Sequence, residues 1–265
     1  HVVRCFEDKN ITHVDSDVNP VRDAETIETE LLLADLETIE KRLTRAEKLA
    51  KSGDKIIKKE ADFLSKLNHH CNEGHRARTL NRDKDENKII KTLHLLSAKP
   101  ILYIANVSER EISSKTRNTH VQGLFDFAQK EGNGAVRICG KIEQEISTLP
   151  QEEKQDFLKE YGLEEPGLNK VIHASFDLMG LQTYFTGGPK EVRAWTIKKG
   201  VTAVEAAGII HTDFQRGFIK AEVYKYADLN RLGSEKAVRD RGLANMEGKQ
   251  YVVEEGDCIY FRFNV

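Results

Sequence analysis

Lys99-Pro100-Ile101-Leu102-Tyr103-Ile104-Ala105-Asn106-Val107-Ser108-Glu109 is the stretch on which the fold turns. Lys99-Pro100 introduces five consecutive apolar residues, a short unbroken run. Such a run reads as a buried strand of a parallel sheet. Asn106 and Glu109 follow at the strand's carboxyl end, where open α/β sheets bind their ligands. Residues 2–6 and 135–139 read as two further strands, and residues 121–130, 142–149, 151–161 and 166–179 as helices. Strand and helix alternate, so this part reads as an α/β sheet with right-handed crossovers.

Upstream of that strand the periodicity changes. Residues 7–23 form a loop rich in Asp and Asn, with Asn19-Pro20 as a turn signal, and a long helix follows over 24–51. Its apolar residues Leu32, Leu36, Ile39, Leu43, Ala46 and Ala50 fall 4-3-4-3-4 apart, a heptad seam. Gly53 suits a helix end and Asp54 an N-cap. A second helix continues to Cys71 with Ile57, Ala61 and Leu64 on the same spacing, which predicts an αα-hairpin. A further helix is predicted over 88–96. His69-His70-Cys71 with His75 matches no common zinc spacing, because adjacent histidines on a helix point about 100° apart.

Downstream, the predicted elements are short and mixed: strands at 192–197, 218–226 and 258–263, and helices at 203–210 and 234–241. A small mixed sheet clasping a helix is a β-grasp arrangement. Lys190, Arg193, Lys198, Lys199, Arg216, Lys220 and Arg262 cluster here with Trp195, Phe214 and Phe218 nearby. Cations among aromatics suit RNA, although Trp195 and Phe218 lie within strands and are expected to fill the core.

The bulk numbers set bounds. With 39% hydrophobic and 32% charged residues in 265, the chain is long enough for two modest domains with solvated helices. Its net charge of −2 gives no global pull toward nucleic acid. From residue 181 onward, 13 Lys and Arg face 11 Asp and Glu, a weak local excess. The four cysteines stand far apart and fit free or buried thiols in a reducing cytosol. No run approaches the ~20 apolar residues of a membrane span.

The strings Gly187-Gly188-Pro189-Lys190-Glu191-Val192-Arg193-Ala194-Trp195-Thr196, His211-Thr212-Asp213-Phe214 and Phe261-Arg262-Phe263-Asn264-Val265 resemble the TGS domain that closes the YchF / Obg-like ATPase family. Similarity to that family extends over almost the whole chain. It is dense at residues 31–37, 103–109, 164–169, 183–196 and 209–222, and thins at 68–86 and 242–246. Translational GTPases place Asn-Lys-x-Asp where this chain has Asn106-Val107-Ser108-Glu109. The longer Glu109 displaces the carboxylate that pairs with guanine, while Asn106 can still meet an adenine edge. The family shares this substitution and prefers ATP. Taken alone, Asn-x-x-Glu is a weak motif, more often an Asn turn after a strand.

The resemblance implies more. Cys139 and Gly140 stand in the second base-side loop, whose backbone holds the purine and where glycine permits close approach. His13 stands where the family carries a histidine that is a candidate for assisting hydrolysis, although a loop histidine is also commonly just solvated. No metal ligands are expected among the residues present. The implied cofactor is ATP, with Mg2+ in the intact parent, and the implied partner is a ribosome or RNA, without DNA sequence specificity or a membrane. The expected division is residues 1–22 and 84–180 as the later part of a P-loop, G-domain-like unit, 23–83 as an inserted helical hairpin, and 181–265 as the TGS domain. No G-x-x-x-x-G-K-[ST] string occurs. The chain opens at His1 directly into a strand, so it is expected to be the C-terminal portion of a cytoplasmic ATPase and inactive alone. The competing expectation is a binding module that needs no nucleotide.

Overall fold

The computed structural model describes residues 1–8, 10–12, 17–114, 116–188 and 191–264. They divide into two compact units, His1–Ser175 and Phe176–Val265.

The first unit holds a parallel sheet of three strands in the order β1 (Val2–Arg4), β2 (Leu102–Asn106) and β3 (Gly134–Ile138). Val3 pairs with Ala105, and Tyr103 with Ala135. Tyr103 and Ala105 are fully buried and pack with Val121, Leu124 and Ile142. Leu102 and Ile104, on the opposite face, stay half-buried. Among the described residues the run is thus buried on one face and half-buried on the other.

α1 (Pro20–Ala50) begins four residues earlier than its apolar seam indicates. Asn19 is its N-cap, with Oδ1 accepting from the Arg22 N–H at 3.1 Å, and Pro20 occupies the first turn. The Asn19-Pro20 pair starts the helix instead of turning the chain, because proline at N1 sacrifices no intrahelical bond. Asp54 caps α2 (Lys55–Asn72), accepting from the Ile56 N–H at 2.7 Å, and Gly53 takes the left-handed φ of 84° that joins the two helices. Leu32, Ile39 and Ala46 of α1 are buried with Leu64, Leu67 and Cys71 of α2, and Leu36, Leu43 and Ala50 pack against them. After a 3-10 turn at Ala77–Thr79, α3 (Lys84–Leu93) starts at an Asp83–Glu86 capping box, earlier than the predicted 88.

Two buried acids anchor α1. Glu28 accepts from Arg76 Nε and Arg78 Nη2, both at 2.8 Å, and from the Tyr103 hydroxyl at 3.1 Å. Asp35 accepts from the backbone of Leu96 and Ser97 at 2.8 and 2.6 Å. Glu28 thereby ties the long helix to the central strand.

The remaining elements of this part are α4 (Glu109–Ile112), α5 (Thr119–Lys130), α6 (Gly140–Thr148), α7 (Gln151–Glu160) and α8 (Gly167–Leu178). Glu143 of α6 caps α8 through the N–H groups of Gly167 and Leu168 at 2.7 and 3.0 Å.

The second unit carries a five-stranded mixed sheet, ordered β5-β4-β8-β6-β7. The strands are β4 (Leu181–Gly187), β5 (Val192–Lys198), β6 (Phe218–Lys225), β7 (Asn245–Glu247) and β8 (Asp257–Phe263). β4 and β8 pair in parallel, while β4–β5, β6–β8 and β6–β7 are antiparallel. α9 (Ala203–Ile210) buries Ala203, Ala206 and Ala207 against Tyr184, Ile197, Val223 and Phe261. The Tyr184 hydroxyl donates to the Ala206 carbonyl at 2.9 Å. Short helices α10 (Thr212–Arg216), α11 (Tyr226–Leu232) and α12 (Glu235–Asp240) complete it. Trp195 is half-buried and Phe218 is buried, both packed in this core.

Candidate nucleotide site and cationic face

The loops after β2 and β3 come together because the strands are neighbours in parallel register, with Asn106 opposite Ile138. The Asn106 carbonyl Oδ1 accepts from the Gly140 N–H at 2.9 Å. This bond fixes the amide's orientation and leaves its NH2 group as the free donor, since Nδ2 makes no hydrogen bond among the described residues. A Cβ at Gly140 would stand 3.4 Å from Asn106 Oδ1, an ordinary contact. Glycine here keeps the space above the amide open, and no unusual backbone angle requires it.

Val107 is buried and its N–H donates to the Ile138 carbonyl at 2.9 Å. Cys139 is also buried, and burial pushes its thiol above the usual range. Both residues can therefore offer a ligand only backbone groups, and the Val107 N–H is already used. Glu109 is half-exposed, and both its carboxylate oxygens lie 3.0 Å from Lys141 Nζ. Lys141 closes the second base-side loop, residues 138–141, and the sequence alone assigns it no contact with Glu109. Its partner is 32 positions away, and only the strand pairing joins them.

Glu111 supports this loop from below. It accepts from the Ser108 N–H at 3.1 Å and the Ser108 hydroxyl at 2.7 Å, and also from Asn118 Nδ2. Burial pushes the Glu111 carboxyl up, but these hydrogen bonds outweigh it and hold the group below the ordinary glutamate range. Asn118 Nδ2 also donates to the Cys5 carbonyl at 3.0 Å, so the base-side loop is tied to the end of β1. The Ser-x-x-Glu spacing of 108–111 is a capping-box signal and could have revealed α4. His13 lies outside the described residues, as does Lys190.

In the second unit the cations are mostly engaged. The Arg193 guanidinium lies 4.1 Å from the Trp195 ring centroid, and Trp195 Nε1 donates to Thr186 Oγ1 at 2.9 Å. Lys198 Nζ donates to the Met179 carbonyl at 2.7 Å, and Lys199 pairs with Asp177 at 2.8 Å. Arg262 stands 3.9 Å from Glu222. Arg216 and Lys220 make no ion pair among the described residues. A cavity of about 260 Å³ opens beside β8, lined by Arg193, Trp195, Phe214 and Phe263 among others. Among the described residues, no group of three or more His, Cys, Asp or Glu side chains is placed to hold a metal. Among the described residues, no helix is long and apolar enough to cross a membrane.

Comparison with known proteins adds to this geometry. Residues 181–264 match the family YchF-GTPase_C, described as a protein of unknown function (DUF933). The ribosome-binding ATPase YchF of Bacillus subtilis (strain 168) is 51% identical over 265 residues, which is all of this chain and 72% of the relative. The protein of the same name from Escherichia coli O157:H7 is 46% identical over the same shares. The solved structure of the Schizosaccharomyces pombe YchF GTPase superposes with a TM-score of 0.78 at 33% identity, covering 98% of this chain and 71% of that one. A GTP binding protein from Pyrococcus horikoshii OT3 shares the fold, with a TM-score of 0.61 at 19% identity. Identity of this degree along its whole length places the chain in the YchF family.

Proposed function

We propose that the chain supplies the base-reading loops and the partner-binding surfaces of a ribosome-binding ATPase. The observation that carries this reading is the bond from the Gly140 N–H to Asn106 Oδ1, which joins two loops at adjacent strand ends. It leaves the Asn106 NH2 to donate to purine N7, on the side of the sheet where α/β folds take ligands. Val107, Cys139 and Gly140 contribute backbone walls, and Glu109 stands at the rim. Relatives bearing the name ribosome-binding ATPase agree with ATP as the ligand. His13, between β1 and α1 in the sequence, is assigned the role of assisting hydrolysis.

ATP brings the phosphoanhydride that is cleaved. Magnesium, which neutralises phosphate charge in such transfers, belongs with the phosphates, and no residue assigned here is a ligand for it. The 265 residues carry no G-x-x-x-x-G-K-[ST] string, so hydrolysis is assigned to the protein its gene encodes and is not expected of these residues alone. Residues 1–22 and 84–180 then belong to the G-domain-like unit, 23–83 form a projecting helical hairpin, and 181–265 are the TGS domain. The hairpin and the TGS domain bind ribosome or RNA in the cytoplasm. Arg193 over Trp195, with Arg216 and Lys220 left without ion pairs among the described residues, supports a polyanionic partner.

Calorimetry on the gene-encoded protein tests the nucleotide reading. ATP should bind at least about tenfold more tightly than GTP, and Asn106→Ala should weaken ATP by about tenfold. If neither nucleotide binds and ribosome co-sedimentation persists, the nucleotide-independent binding module takes its place.

A further inference from the structure

We propose that Lys141 is a specificity-positioning residue: by holding both oxygens of Glu109, it removes the carboxylate that would read guanine and puts an ammonium in its place. This rests on the nucleotide reading above and assigns its selectivity.

The geometry is direct. Lys141 Nζ lies 3.0 Å from each Glu109 carboxylate oxygen, and Lys141 follows Gly140, whose N–H holds Asn106. The ion pair therefore sits in the same two loops as the purine-facing amide. Its side chains are 64% and 36% exposed. Pairs this open add little to stability, because water and salt screen them. The pair is thus poorly explained as a fold-holding device, and Glu111 already caps the loop through Ser108.

The chemistry favours one base. The guanine Watson–Crick edge presents donors at N1–H and N2–H2, which a lone carboxylate accepts as a pair. The adenine edge presents an acceptor at N1 and a donor at N6. A carboxylate occupied by an ammonium has lost the paired acceptor that guanine needs. The ammonium itself is a donor and a cation, which opposes guanine N1–H and suits adenine N1. Discrimination thus arises from a repulsive element against the wrong base as much as from attraction to the right one. The extra methylene of Glu109 relative to Asp gives the carboxylate the reach to meet Lys141 across the two loops.

The test is equilibrium binding of fluorescent ATP and GTP analogues to the gene-encoded protein, with thermal melting of each variant. Lys141→Met should lower the ATP-over-GTP affinity ratio by about tenfold, mainly by tightening GTP, while melting stays near wild type. Lys141→Arg, which keeps the charge and the fork for a carboxylate, should preserve the ratio. The proposal is overturned if Lys141→Met leaves the ratio unchanged, or weakens both nucleotides equally. A wild-type protein that binds neither nucleotide defeats the underlying nucleotide reading. A protein that selects ATP, loses it with Asn106→Ala and ignores Lys141→Met keeps that reading and defeats this one alone.

Discussion

A Cβ added at Gly217 would stand 2.1 Å from the Asn264 carbonyl oxygen, whereas one added at Gly140 would meet Asn106 Oδ1 at 3.4 Å. The first distance is a collision with backbone, and the Gly217 carbonyl is itself held by the Asn264 N–H at 2.9 Å. Gly217→Ala must push the last strand aside and should lower unfolding free energy by about 2–4 kcal/mol in urea titrations. Gly140→Ala should stay within about 1 kcal/mol of wild type. Its methyl group nevertheless stands over the Asn106 amide, so ATP affinity should fall while the urea midpoint holds. Unchanged affinity would show that the space above Asn106 is not where the purine sits. The strands that carry Asn106 and lead to Gly140 are legible as apolar runs, whereas the two residues themselves stand out only through the resemblance, since alone each reads as part of an ordinary turn. The Glu109–Lys141 pair was not, because two residues 32 apart meet only once the register of β2 and β3 is known.

At the scale of elements, α1 depends on a buried carboxylate. Glu28 is 2% exposed and serves Arg76, Arg78 and Tyr103 together. Removing it leaves two partly buried guanidinium groups and a buried hydroxyl without their shared acceptor. Glu28→Ala should therefore cost about 3–5 kcal/mol, far beyond its lost contacts. Asp54→Ala, which strips the N-cap of α2, should cost about 1 kcal/mol. If the two variants unfold at similar urea concentrations, Glu28 is not the anchor of the long helix. The α1 seam could be read from its 4-3-4 spacing, since regular apolar repeats depend only on helical geometry. The start of α1 is not legible in the same way, because Asn-Pro serves turns and helix N-termini alike. β4 gives no clean alternation: Leu181-Gln182-Thr183-Tyr184-Phe185-Thr186-Gly187 buries the polar Gln182, whose amide donates to the Val253 carbonyl. α10 and α11, of five and seven residues, are too short to show a period.

Over the whole molecule, acid and alkali should act on different parts. Burial pushes the Glu28 carboxyl up, but Arg78 and Arg76 more than reverse this, leaving it below the ordinary value of 4.5. Glu111 is depressed in the same way. A depressed carboxyl contributes stability that is present above 4.5 and is lost as pH falls through its folded value. Both groups lie in the unit His1–Ser175. In Phe176–Val265 the depressed carboxyls are Glu205 and Glu254, which are exposed and screened by solvent. Alkali works through buried thiols in both units. Burial pushes Cys5 up to about 12, and Cys71 and Cys258 up to about 11, from the usual 9.0. Their stabilisation is complete below 9 and is lost above it, as the unfolded chain ionises first. The protein's one tryptophan, Trp195, reports on the second unit, while far-UV circular dichroism is dominated by the long helices of the first. Urea titrations followed by both probes should therefore diverge in acid. Below pH 4.5 the dichroism midpoint should fall well ahead of the fluorescence midpoint, and Glu28→Gln should flatten that fall. Between pH 9 and 11 both midpoints should drop together. Coincident probes throughout the range below pH 4.5, with a slope indifferent to Glu28→Gln, would mean that this carboxylate does not govern the acid limb.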